Sequence, residues 1–256
     1  MNHVQQSFNR AANTYDAIGS LQHQVANTLS EFICTQLPAD FSGRLLDAGC
    51  GTGYCLKHLH ESYRHAQFFG IDFAEGMLQQ LPTLSNAHRT QADLQQLPVA
   101  SSCINTYLSS LAWQWCDLKL AAQEAYRVLA PQGDLFVATL VEGTFNELAH
   151  CLQSCDVNAD DHLLHCPSID NLHNALTAAG LELQSSVTHR ITTWHTDFKA
   201  LRQTIRGVGA NHLPTNSTPS FNRQSRAKLI NAFEALRINQ GLPLSYEVHI
   251  IHARKP

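Results

Sequence analysis

LLDAGCGTG, residues 45–53, passes from apolar residues through one acid into three glycines spaced two apart. The apolar run reads as a buried strand, and CLKHLHES (55–62) after it as an amphipathic helix. Between them Gly49, Gly51 and Gly53, having no Cβ, let the backbone turn sharply and come close to a ligand. In an open α/β sheet ligands bind beyond the carboxyl ends of the strands, where this loop falls. A dinucleotide fingerprint would read G-x-G-x-x-G. Here the third glycine comes one position early, and Asp47 stands two residues ahead of the loop. That acid is a poor neighbour for a phosphate and suits a ligand with a positive group. The plain alternative is a strand-to-helix turn with no ligand.

Working outward, the segments 44–49, 66–72, 103–111 and 134–140 are short apolar runs bounded by turn residues. AEGMLQQL (74–81) and LKLAAQEAYRVLA (118–130) lie between them as amphipathic helices, the second stopped by Pro131 and Gly133. This alternation predicts an α/β fold: a mostly parallel sheet with helices on both faces. Asp72 ends the second strand, where a carboxylate can take both hydroxyls of a ribose. Asp93, in QADLQQLP, closes the third, where an acceptor can meet the exocyclic amine of adenine. Three acids at successive strand ends beside a bare backbone suit S-adenosylmethionine, which carries an ammonium, a sulfonium and no phosphate.

The chain of 256 residues fits one domain, and its 44% hydrophobic and 15% charged residues are those of a globular protein. No stretch of about 18 apolar residues is present to span a membrane, and the N-terminus shows no apolar signal core, so a cytoplasmic location is expected. The eight cysteines form no C-x-x-C pair and read as buried thiols. Cys151, Cys155, His162, His165 and Cys166 form the densest group of metal-ligand residue types, at a spacing that matches no zinc pattern. NHLPTNSTPS (211–220) reads as a polar connection or lid.

Charge is unevenly spread. Residues 189–228 hold seven Lys or Arg and one acid, Asp197, whereas 128–189 hold eight acids and no Lys or Arg. A basic patch on a chain of net charge −4 suits a localised anionic partner. Nucleic acid is disfavoured by the overall acidity and the lack of an aromatic-basic reading motif, and a solvated basic helix face is the bland alternative.

Taken together, LLDAGCGTG, GIDFAEGML, ADLQQLP and EAYRVLAPQGDL resemble the successive motifs of the class I S-adenosylmethionine-dependent methyltransferases over residues 44–140. The resemblance implies a Rossmann-like sheet of seven strands, the last antiparallel and supplied by YEVHIIHARKP (246–256). It implies a donor site of Asp47, Gly49, Gly51, Gly53, Asp72, Phe73, Met77, Asp93, Leu94 and Ser109. Two departures from the pattern stand out: Asn105 replaces an acid before the fourth strand, and Gln132 replaces the first glycine of a P-G-G turn. FNRAANTYD (8–16), SSLAWQWCDL (109–118) and LRQTIRGVGAN (201–211) further resemble the malonyl-acyl carrier protein O-methyltransferases of biotin synthesis. That family esterifies the free carboxylate of a malonyl thioester. It implies a malonyl-loaded acyl carrier protein as partner, and the charge distribution makes the basic 189–228 segment its expected docking surface. It also implies a helical lid made by the N-terminus and the 196–240 insertion. The expected division is one domain: a cap over 1–40, a donor core over 41–141 and acceptor-side elements over 142–256.

A carboxylate is already ionised near pH 7, so no general base is expected. Tyr15, Trp113, Gln114 and Trp115 are candidate walls and polar handles, and Arg10, Arg202 and Arg206 candidate guides for the carboxylate. The competing readings are a methyltransferase acting on another small acid or a quinone precursor, a nicotinamide oxidoreductase, and a binding module without catalysis.

Overall fold

The computed structural model describes residues 2–155, 163–207 and 223–256. In chain order these form α1 (Asn2–Ile18), α2 (Ser20–Gln36), β1 (Arg44–Ala48), α3 (Tyr54–Ser62), β2 (Gln67–Asp72), α4 (Glu75–Gln80), β3 (Ala87–Gln91), β4 (Ile104–Ser110), α5 (Leu118–Val128), β5 (Leu129–Leu140), α6 (Asn146–Gln153), α7 (Ile169–Ala178), β6 (Glu182–His195), α8 (Phe198–Gly207), α9 (Arg223–Glu234) and β7 (Leu242–Arg254). The strands make one sheet of order β3-β2-β1-β4-β5-β7-β6. Only β7 runs against its neighbours, pairing antiparallel with both β5 and β6. The seven-stranded sheet with a reversed last strand is therefore as the sequence predicts.

Both faces of the sheet are covered, which explains why its strands read as continuous apolar runs and not as alternating ones. Leu45, Phe136 and Ile250 pack on one face with α2 and α3, while Leu46, Leu135 and Ile251 pack on the other with α5 and α7. Residue alternation along each strand divides neighbours between two cores. Helix α5 begins at Asp117, whose carboxylate accepts the amides of Lys119 and Leu120. It ends at Val128, two residues before the sequence reading ends it, because Pro131 disfavours helical geometry at Ala130. The Lys255 ammonium donates to the carbonyls of Tyr126 and Leu129 at that end.

Both departures from the family pattern have a physical reading. The Asn105 amide oxygen accepts the Arg44 backbone N–H at 2.8 Å, so an acceptor is kept without the charge. Gln132 adopts φ +62°, the left-handed conformation that glycine takes without penalty.

The flanks form caps. Helix α1 lies along α4, fastened by a polar stripe: the Asn9 amide oxygen accepts Gly76 N–H at 2.7 Å, and Gln80 donates to Asn13 at 3.0 Å. Helices α8 and α9 pack on each other; α8 also meets α1, β6 and β7. The 211–220 segment lies outside the described residues. No described helix is long and apolar enough to cross a membrane.

Candidate active site

The glycine loop closes β1 and opens α3. Gly49 (φ +81°) and Gly53 (φ +83°) are held by packing: a Cβ on Gly49 would lie 2.4 Å from the Ala112 methyl, and one on Gly53 2.8 Å from Leu81. Gly51, at φ +54°, differs, because a Cβ there would meet nothing within 4 Å. Two glycines thus seat the loop and the third faces open space. The amides of Gly49 and Cys50 donate to the Ile71 carbonyl, which pins the loop to the end of β2.

At that end Asp72 accepts Gly51 N–H on one oxygen (2.9 Å) and Ala74 N–H on the other (2.8 Å). Burial pushes its pKa up to about 6, although these amides pull it down. Asp47 is only 1% exposed and its Oδ1 has no hydrogen-bond partner. Burial, and after it the charge of Asp72, holds the Asp47 carboxyl well above the usual carboxylate range. A buried acid with a free oxygen is costly unless a donor or a cation reaches it.

Two clefts meet at this loop and a third adjoins them, all three sharing Tyr15 and Leu111. The first encloses about 760 Å³ including its mouth, between Gly51, Asp72, Phe73, Met77, Asp93 and Leu94. The second, about 430 Å³, is bounded by Asp47, Gln22, His23 and Thr52. Gln22 Oε1 and Asp47 Oδ1 are buried there without hydrogen-bond partners, and His23 Nε2 is buried beside them 3.6 Å from Asp16, so this end offers polar atoms to a small zwitterion. The third, about 340 Å³, lies between Gln114, Trp115, Leu164, Phe145 and Tyr246. Helix α1 roofs the junction. Its Phe8 contacts Tyr15, Phe73 and Trp115 ring to ring at about 6 Å. Thr52 donates to Asp16 at 2.7 Å, tying the end of α1 to the glycine loop.

Most donor-site residues expected from sequence come together in the first two clefts. Asp93 lines the first, its carboxylate held by Gln95. Ser109 does not line it: it is fully buried and donates to the Ala48 carbonyl at 2.6 Å, while its neighbour Ser110 forms the wall. Trp115 is a wall, but Trp113 is fully buried core, its indole N–H donating to Tyr107. Gln114 lines the third cleft, fixed by Thr139 and by the Leu111 carbonyl. Arg10 is exposed, donates to the Gln6 carbonyl and lines none of the clefts. Arg202 and Arg206 sit on α8, and the Arg206 side chain is outside what is described. Among the described residues no group of three or more His, Cys, Asp or Glu could hold a metal, and His162 falls outside them.

Sequence reasoning missed Leu111, Phe145 and Tyr246. Leu111 (φ +52°) and Phe145 (φ +61°) are bulky residues in the left-handed region, and both line the third cleft. Such backbone costs about 1–3 kcal/mol per residue and gathers at binding sites.

A sheet of this order, with the glycine loop and two buried acids at the crevice where the chain changes direction, defines a class I S-adenosylmethionine-dependent methyltransferase. Residues 46–137 match the family model described as a methyltransferase domain. The chain is 37% identical to the Malonyl-[acyl-carrier protein] O-methyltransferase of Dechloromonas aromatica, covering 98% of this chain and 94% of that protein. It is 35% identical to the same-named protein of Herminiimonas arsenicoxydans, covering 97% and 94%. The solved YcgJ protein of Bacillus subtilis shares the fold at a TM-score of 0.64 and 15% identity, covering 90% of this chain and 98% of that one. This chain belongs to the malonyl-acyl carrier protein O-methyltransferase family.

Proposed function

We propose that this chain methylates the free carboxylate of a malonyl thioester carried by acyl carrier protein, an early step of biotin synthesis. The observation that carries this reading is the lack of a base in the described walls of the third cleft. Tyrosine is the sole ionisable residue type there. Burial pushes Tyr246 up to about 12, and burial with the charges of Asp72 and Asp16 pushes Tyr15 higher still. Both stay protonated at neutral pH, so neither is a base and each has a proton to donate. An alcohol or amine acceptor would need a base to take its proton, whereas a carboxylate arrives already ionised. The names of the curated relatives point to the same acceptor.

S-adenosylmethionine supplies an electrophilic methyl group on a sulfonium. In our reading Asp72, Phe73, Met77, Asp93 and Leu94 hold its adenosyl part, and Asp47, Gly49, Gly51, Gln22 and His23 its amino-acid end. The free Asp47 oxygen and the open space at Gly51 fit that molecule. Tyr15, on the wall common to all three clefts, holds one oxygen of the acceptor. Neutral donors orient a carboxylate without quenching it as a close cation would, and aromatic walls keep water from the reacting oxygen. Tyr15→Phe with unchanged turnover would remove Tyr15 from this role.

Arg202 and Arg206 then steer the acidic carrier protein with the exposed Arg190, Lys199 and Lys228. Activity on the carrier-bound substrate should fall with added salt more steeply than activity on a coenzyme A analogue, and equal curves would remove this docking surface. We place the reaction in the cytoplasm, a reading supported by eight cysteines that are all free thiols. The deciding assay incubates the protein with S-adenosylmethionine and malonyl-acyl carrier protein and looks by mass spectrometry for one added methyl on the acyl arm. An unmodified arm would overturn the proposal.

A further inference from the structure

The third cleft is lined by a polar group that no other group of the described fold meets in hydrogen-bond geometry. Tyr246, on β7, is 1% exposed and lines this cleft, yet its hydroxyl has no hydrogen-bond partner. Its ring packs edge-on against Phe145, with centroids 5.1 Å apart. Thr193 is the fold's nearest candidate acceptor: it is close enough to draw the Tyr246 pKa down slightly, but it lies outside hydrogen-bond geometry and is itself bonded to His195 Nε2 at 2.9 Å and the Leu244 carbonyl at 3.3 Å. Gln114, across the cleft, is also engaged at both ends of its amide. A buried hydroxyl left without a partner weakens a fold unless it serves a ligand. The described walls of the cleft carry no lysine or arginine to meet an anion.

We propose that Tyr246 is the substrate-positioning residue that distinguishes a carboxylate-bearing acyl group from an uncharged one, by donating its hydroxyl proton to that carboxylate. This deepens the malonyl-thioester reading and rests on it. The strained backbone at Phe145 and Leu111 holds apolar surface against the same space, so a carboxylate entering it meets few other donors. The hydroxyl gives direction without charge; Tyr246 and Tyr15 donate to the same carboxylate oxygen, and the other oxygen keeps its reactivity.

The test is Tyr246→Phe, which keeps the ring and its packing and deletes one oxygen. Three quantities are measured beside wild type: affinity for S-adenosylhomocysteine, melting temperature, and the ratio of affinities for malonyl- and acetyl-acyl carrier protein in the S-adenosylhomocysteine complex. Docking of the carrier cancels from that ratio. Expected are donor-product affinity within twofold, a melting temperature equal or higher because no internal hydrogen bond is lost, and a malonyl preference falling at least tenfold. The kcat/KM for methyl transfer should fall by a similar factor. An unchanged malonyl preference overturns the assignment, and so does a lower melting temperature, which would show the hydroxyl bonded within the fold. Wild-type protein that transfers no methyl to malonyl-acyl carrier protein overturns the underlying reading as well, so the two failures are told apart.

Discussion

The donor and acceptor sides of this molecule solve recognition by different means. The donor side uses backbone and charge from neighbouring strand ends: a glycine loop, Asp72 bridging two amides, and Asp47 with a free oxygen. The cleft proposed for the acceptor is lined by rings and neutral hydroxyls drawn from α1, the β4 end, residue 145 and β7. A cationic donor is drawn by acids buried at some cost to folding. In the proposed reading an anionic acceptor is met by hydroxyls that stay protonated at neutral pH, so it keeps the charge that the reaction needs.

Substitutions can break this contrast. The largest effect is expected for Asp72→Asn, which should weaken S-adenosylhomocysteine binding about 100-fold by calorimetry, the loss of charged hydrogen bonds to a ribose. Carrier-protein binding should stay unchanged, and parallel losses on both sides would dissolve the contrast. Wild-type affinity should also fall as pH drops through about 6, where Asp72 takes up a proton, and the variant should lack that dependence. The stability sign is opposite: the folded-state pKa is the raised one, so acidification from neutral pH through about 6 relieves the cost of burying this carboxylate.

Asp47→Asn should cost about tenfold in donor affinity. The loss is read by the same calorimetry with S-adenosylhomocysteine. Asn9→Ala removes one fastening of α1 onto α4 and should weaken donor binding about threefold, the modest net worth of one hydrogen bond. The smallest effect tests neither side: Gln132→Gly should raise the melting temperature by about 1–3 °C at constant activity, by relieving a left-handed glutamine.

The same contrast explains what the sequence makes legible. A glycine loop and strand-end acids lie within one strand–turn–helix unit, so local reading finds them. The fold follows, because buried parallel strands and amphipathic helices have different periods. Ser109 and Ser110 are adjacent on β4 and so face opposite ways: the first is core and the second is wall, a one-residue difference that the motif alone does not resolve. Trp113 and Trp115 lie two apart in a 3-10 turn, about 240° around its axis, and cannot share one wall. Arg10 stands two residues from Phe8, about 200° around α1, and a helical wheel places it on the far side from the cleft. Tyr246 and Phe145 carry no local signal. They meet the aromatic residues of α1 only through the pairing of β7 with β5 and the turn after Leu140.

The acid at the end of β2 ties this protein's lifetime to its supply of methyl donor. Holding Asp72 ionised inside the fold costs about 3 kcal/mol at neutral pH, a large part of an ordinary domain's margin. Any ligand that binds the folded state alone returns stability in proportion to the logarithm of its concentration. Proteolysis of the purified protein should therefore slow as S-adenosylmethionine is added.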